Sequence, residues 1–278
     1  MIKIRASSLP GYSDCARRWA ANAIPQQIAN IGFTLNKQMA TSIGASIGTA
    51  THGGVAFLLT EKMQTGHSGN MTEAEQRALS ELETALEENG VLWDDVSPRL
   101  SDAQRQIVRM VKSYNDFIAP DITPIAVEQR LEVKVGNLIL TGQSDTQVVE
   151  PDYIRDTKTG KMPRTHYAQL GSYSLLARTK RPDAQPKGLC VDFIKRAPIK
   201  TEQPAPVTEI YDQATAEQAA MATIRRISDD LKEFERRIVD EDAPPEHAFL
   251  ANPGSNLCSP KWCPCYNTSF CREHKGAK

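Results

Sequence analysis

From residue 125 to residue 149 the sequence alternates between apolar and polar side chains, is rich in β-branched residues, and is broken midway by Gly136-Asn137. Two alternating arms joined by a two-residue Gly-Asn turn read as a β-hairpin, because that pair accepts the positive backbone angles a tight turn requires. A half-apolar hairpin must lie in a sheet, and the sheet must be covered.

The flanking segments supply the cover. Ser8 or Ser13 is expected to cap a first helix carrying Cys15, Arg17, Arg18 and Trp19. Residues 42–64 place Ile43, Ile47, Ala50 and Leu58 near helical spacing. Thr72 with Glu75, and Ser101 with Gln104, each read as a capping box; the second helix continues through Ile107, Met110, Val111, Tyr114 and Phe117. Beyond the hairpin a strand is expected over 153–158, a helix from about 165 to 178, strands over 189–195 and 207–211, and a long amphipathic helix over 216–239. From Pro244 onward Pro, Asn, Ser and Cys accumulate and irregular structure is expected. The order implies an α/β chain with one core.

Within this frame, Leu140-Thr-Gly-Gln-Ser-Asp145 ends the hairpin and Asp156-Thr157-Lys158-Thr-Gly160 lies on the next strand. Alternation puts Asp156 and Lys158 on one side of their strand, and Asp145 joins them if the two strands are neighbours. Two carboxylates make a hard-oxygen site suited to Mg²⁺ or Mn²⁺. A lysine beside it can orient a water and stabilise charge on a phosphoryl group. Alone, a D-x-K triplet is common and a solvated strand face explains it. Upstream, however, Gly44-Ala-Ser-Ile-Gly48-Thr-Ala-Thr-His52 places a histidine behind two small residues that permit close helix packing. Downstream, Gln169 and Tyr173 share one helix face at a spacing of four.

Taken in order, G-x-x-x-H, G-x-x-D, D-x-K-T-G and Q-x-x-x-Y resemble the RecB-like branch of the PD-(D/E)xK nucleases, closest to the CRISPR-associated RecB-like exonucleases and their phage-encoded relatives. The match runs from Cys15 to Cys271. The resemblance implies a restriction-endonuclease-like core, a central mixed sheet flanked by helices, with N-terminal helices and a Cys-rich tail. It implies His52, Asp145, Asp156 and the Thr157 carbonyl as ligands of a divalent ion, with Asp145, Asp156 and Lys158 catalytic. Gln169 and Tyr173 fall on the family's substrate-contacting helix. Glu128 is a weaker candidate for an accessory acidic role. The expected organisation is a single nuclease domain, 1–278, with a helical part over 1–120, a nuclease core over 121–243 and a cluster-binding tail over 244–278.

Six cysteines fall at Cys15, Cys190, Cys258, Cys263, Cys265 and Cys271. Clustered thiols in a reducing compartment more often hold metal than form disulfides. Cys15-Ala-Arg-Arg-Trp resembles the family's C-P-R-R-aromatic opening, with Ala16 in the proline's place. In relatives with a cluster that cysteine joins three near the C-terminus to hold a 4Fe-4S centre. The resemblance favours Cys15, Cys258, Cys263 and Cys271, with Cys265 as substitute; zinc held by the four tail cysteines is the alternative. Cys190, in a strand-like run, reads as a core thiol.

A net charge of −1, from 33 basic and 34 acidic residues, announces no nucleic-acid binding in bulk, so a local basic groove is expected, including Arg17, Arg18, Lys161 and Arg164. No apolar run approaches membrane length, and a cytoplasmic protein is the default. The expected activity is a metal-dependent exonuclease on single-stranded DNA ends, in recombination, repair or CRISPR spacer handling. The partners would be recombination or CRISPR adaptation proteins or further copies of the chain. The rivals are a structure-specific endonuclease of the same fold and a catalytically silent DNA-binding subunit.

Overall fold

The chain begins with a strand that its sequence period does not announce, β1 (Ile2–Arg5). Two short helices follow, α1 (Leu9–Asp14) and α2 (Ala16–Ala23). Cys15 separates them in an extended conformation, so the expected single helix is two, and Ser8 makes no side-chain cap. Pro25 starts α3 (Pro25–Asn30) at the position where its missing N–H is harmless. The structure, a computed structural model, describes residues 1–37, 40–149, 152–161, 165–181, 186–240 and 242–272.

After β2 (Thr41–Ser42), Ser42 caps α4 (Ile43–Thr65) by accepting the Ala45 N–H, and Gly66 ends it in the left-handed region at φ 81°. The capping boxes are displaced. Asn70, as strong a cap as threonine, accepts the Thr72 and Glu73 N–H groups and starts α5 (Met71–Asn89) two residues early. β3 (Val91–Leu92) pairs with β2. Ser101 lies inside α6 (Leu100–Phe117), which begins without a side-chain cap.

The hairpin is β4 (Pro124–Val135) and β5 (Leu138–Val148), turning at Gly136 with φ 60°. Then come β6 (Tyr153–Gly160), α7 (Tyr167–Lys180), β7 (Gly188–Lys195), β8 (Val207–Tyr211) and α8 (Gln213–Ile238). The sheet is mixed: β4–β5, β5–β6 and β7–β8 are antiparallel, β1–β5 and β6–β7 parallel. The central mixed sheet flanked by helices is the expected fold. The segment before residue 120 is not wholly helical, since it lends β1 to this sheet.

Alternation divides the core in two. On one side Leu138, Leu140, Ile154, Leu189 and Val191 pack with α1, α2, α7 and α8; on the other Val148 and Ile194 pack with α4, α5 and α6. Helices α7 and α8 touch through backbone, since a Cβ on Gly171 would lie 1.9 Å from the Ala216 carbonyl oxygen. The tail beyond a short turn at Pro245–Ala248 is irregular and crosses the N-terminal helices. The Arg17 N–H donates to the Leu250 carbonyl at 3.2 Å, and the Asn36 N–H to Pro264 at 2.7 Å.

One irregularity creates the site. Strand β4 occupies one edge of β5 along its length, while β1 and β6 share the other edge end to end. Strand β1 pairs with Leu138 to Thr141, and β6 meets β5 only at Thr146 and Gln147. Between them β5 and β6 splay into a fork. No helix among the described residues is long and apolar enough to cross a membrane.

Candidate metal centre

Asp145 sits in the fork. Its Oδ2 accepts the Thr157 N–H at 2.6 Å, so the carboxylate replaces the backbone pairing that the splayed strands have lost. Asp156 and Lys158 follow on β6, with Lys158 Nζ 2.7 Å from Asp156 Oδ2. Helices from both layers reach in. From α4, His52 Nδ1 lies 3.3 Å from Asp145 Oδ2. The helix comes this close because Gly48 faces Thr159, whose hydroxyl would be 2.8 Å from a Cβ. From α7, Gln169 Nε2 donates to Asp156 Oδ1 at 3.3 Å and to the Tyr173 hydroxyl at 2.8 Å. The structure thus brings together all seven residues expected at this site, including Thr157 between Asp156 and Lys158.

Glu128, given little weight from sequence, belongs here as well. His52, Glu128 and Asp145 offer ligand atoms all within 4.8 Å of one another. Its backbone lies in the left-handed region, φ 49°, which side chains other than glycine rarely adopt. A strained β4 residue beside Asp145 leaves no period-2 signal, and this is why alternation alone passes over it. Glu81 of α5 rests against Gly53 next to His52, where any Cβ would collide with its carboxylate.

The charges are strongly perturbed. Burial pushes the Asp156 carboxyl up to about 6, with Asp145 adding to the push, and nearby Lys158 only partly opposes this. Asp145 is buried too, but His52, Lys158 and the Thr157 N–H hold it below the usual carboxylate range. Burial disfavours the charged His52 ring, yet the Asp145 carboxylate outweighs burial and lifts it to about 9. Burial likewise disfavours charged Lys158, and Asp156 and Asp145 together raise it. Asp156 Oδ2 is buried and, despite the lysine, has no directed hydrogen bond. Asp145 holds a proton on His52 here, and a divalent ion would have to displace it; once it does, the imidazole nitrogen, the carboxylate oxygens and the undonated Asp156 Oδ2 suit an ion of hard to borderline character.

Residues 4–271 match the family model of the PD-(D/E)XK nuclease superfamily. The chain belongs to the PD-(D/E)XK nuclease superfamily. Asp156-Thr157-Lys158 reads as the D-x-K half of the pattern for which the superfamily is named, and Ser144-Asp145 precedes it in the sequence. Among solved structures, the chain is similar to a "Putative exonuclease" from Eubacterium rectale at 7% identity, covering 80% of this chain and 87% of that one, with a TM-score of 0.44. It is also similar to SSO0001 at 17% identity, covering 61% and 84%, with a TM-score of 0.27. No curated protein matches it.

The expected groove does not form as drawn in this PD-(D/E)XK chain. Arg17 and Arg18, 3% and 7% exposed, serve the tail instead. Arg17 Nε donates to the Phe249 carbonyl and Arg18 bonds Asp14 and Ser255. Lys161 pairs with Asp95 at 2.7 Å. Arg164 lies outside the described residues.

The cysteines are distributed as follows. No disulfide joins any of the six. Cys263 and Cys265 sulfurs are 3.4 Å apart, and Cys265 is also hydrogen-bonded to Cys271. Cys265, the most buried of the tail cysteines, is pushed up by those two neighbours; Cys263 is lowered to about 7, chiefly by its bond with Cys265. Cys15 Sγ accepts the Asn252 N–H at 3.4 Å. Cys258 is only partly buried. Among the described residues no three cysteine sulfurs are all mutually close enough to share one ion. Cys190 is fully buried in β7, where burial raises its thiol to about 12.

Proposed function

We propose that this chain is a divalent-metal-dependent deoxyribonuclease acting as an exonuclease on single-stranded DNA ends. The observation that carries the reading is the fork, where Asp145, Asp156, Lys158 and His52 converge from two strands and a helix. His52, Asp145, Asp156 and the Thr157 carbonyl would hold Mg²⁺ or Mn²⁺, with Glu128 in reach. Bound there, the ion would activate a water and counter phosphate charge. Lys158 keeps its proton because two carboxylates offset its burial, and its ammonium can meet charge developing on a phosphoryl oxygen. Gln169 orients Asp156 and spends its amide on the Tyr173 oxygen, which leaves the phenol proton for a phosphate or base.

A 4Fe-4S cluster in the tail is the second part of the reading. The support is chemical. Three tail thiols, Cys263, Cys265 and Cys271, form a chain of sulfur contacts. Cys15 lies on the segment the tail crosses. Sulfurs bound to different irons need not be as close as ligands sharing one ion, and four thiolates complete such a cluster. On this geometry Cys265 takes the place first given to Cys258. The cluster, in a cytoplasmic protein working beside recombination or CRISPR adaptation proteins, would fasten the two ends of the chain together.

The test is cleavage of plasmid and end-labelled single-stranded DNA in Mg²⁺ or Mn²⁺, with and without EDTA. Activity is expected only with metal and only from ends. Asp145→Ala and Lys158→Ala are each expected to reduce it by roughly 100-fold or more while the fold remains. Wild-type rates in Lys158→Ala would refute the assignment, and cleavage of closed circles would favour the endonuclease.

A further inference from the structure

Beside the fork, where β1 runs out, lies a cavity of about 280 Å³ whose walls include Arg5, Ser7, Arg130, Thr141, Gln143 and Tyr173. Strand register builds it. Arg5 ends β1 opposite Thr141, and Arg130 of β4 stands opposite Gln143, so strands on both edges of β5 deliver one guanidinium each. Among the described residues neither guanidinium has an ion-pair or hydrogen-bond partner. Other arginines of this chain are occupied: Arg155 with Asp192, Arg178 with Glu217, Arg196 with Asp94. In a protein of net charge −1, two unpaired cations facing one small cavity are not a general basic surface.

The cavity shares walls with the metal centre. Gln143 donates its amide to Glu128, which groups with His52 and Asp145. Tyr173 is bonded to Gln169, which touches Asp156. A molecule in the cavity would therefore lie next to one at the carboxylates.

We propose that this cavity is a phosphate subsite, in which Arg5 and Arg130 clamp a second phosphate of the strand whose scissile linkage lies at the fork. The proposal rests on the nuclease reading. Guanidinium forks match phosphate oxygens in pairs, and the Ser7 and Thr141 hydroxyls supply neutral donors beside them. The phosphate is internal to the strand or terminal; the chemistry is the same. Both arginines are positioning residues that act on binding.

Single-stranded oligonucleotides with 5′-phosphate, 3′-phosphate or hydroxyl ends would be titrated in Ca²⁺ across a salt series, with wild type, Arg5→Gln, Arg130→Gln and the double variant. The double substitution is expected to lower the slope of log K against log salt by about 0.7, one phosphate contact on a single strand, and each single substitution by part of that. In Mg²⁺, KM should rise while kcat at saturating strand is largely kept. Arg5→Lys and Arg130→Lys should restore the slope but only part of the affinity. Equal losses for all ends identify an internal phosphate, and losses confined to one phosphorylated end identify a terminal one. Arg225→Gln, exposed on α8, should keep parental values. A natively folded double variant with parental slope and KM overturns the subsite and leaves the nuclease standing. A wild type that cuts no DNA with any divalent ion overturns the nuclease reading instead, and the binding series still decides on the subsite.

Discussion

Beneath the metal centre, on the opposite face of β6 from Asp156, Arg155 and Asp192 form a two-pronged ion pair. Arg155 Nε lies 2.8 Å from Asp192 Oδ2 and Nη2 2.6 Å from Oδ1, and the Thr208 hydroxyl donates to the same carboxylate at 2.7 Å. Asp192 is 0% exposed and Arg155 6%. Asp192→Ala would leave a guanidinium without a counter-charge where water does not reach, at about 3–5 kcal/mol. Arg155→Met would leave a buried carboxylate that still accepts the Thr208 hydroxyl, so its loss should sit at the lower end of the same scale, about 3 kcal/mol. Removing both charges removes the penalty each leaves behind. The double variant is therefore expected to lose less than the sum of the singles, with a coupling of roughly 2–3 kcal/mol. At about 2–4 °C per kcal/mol, Asp192→Ala lowers Tm by roughly 6–20 °C. Calorimetry on the four proteins of the cycle measures all of this. A loss under about 1 kcal/mol in Asp192→Ala, or strictly additive singles, would refute the reasoning, because either would mean that water or another partner compensates the stranded charge.

Gly171→Ala is expected to destabilise by about 1–3 kcal/mol, since its methyl group would strike the α8 backbone; an unchanged melting curve would mean the helices are not in contact. His52→Ala should lower cleavage more in Mn²⁺ than in Mg²⁺, because a nitrogen ligand favours the softer ion, and equal losses would make His52 structural. Anaerobically purified protein should carry iron and be brown; Cys15→Ser should bleach it and Cys190→Ser should not. Zinc without iron, with a harmless Cys15→Ser, would end the cluster assignment.

Where period and spacing are strong, the sequence is easily read. The hairpin with its Gly136 turn, the strand of Asp156 and Lys158, and the helix of Gln169 and Tyr173 lie within a few residues of expectation. Local competition blurred the rest. Asn70 outbids Thr72 as a cap, and Cys15 interrupts a pattern that looked continuous. Strand β1 is four residues long and takes its stability from a partner far along the chain, so no local window could reveal it. Arg17 and Arg18 looked like a groove because charge suggests solvent, whereas each turns inward to satisfy carbonyl or hydroxyl oxygens of the tail. Glu128 depended on a backbone angle, which composition does not encode.

The placement of β1 also orders the folding of the molecule in time. A two-residue turn lets β4 and β5 find each other within microseconds. By contrast, setting Ile2 opposite Leu138 closes a loop of more than a hundred residues, slower and entropically harder. Asp145 and Asp156 are close in sequence and need only β5 and β6 to meet, whereas His52 and Arg5 must each be brought in from far up the chain. In a refolding chain the two carboxylates are thus the local part of the site, and the imidazole and the second anchor are its long-range parts.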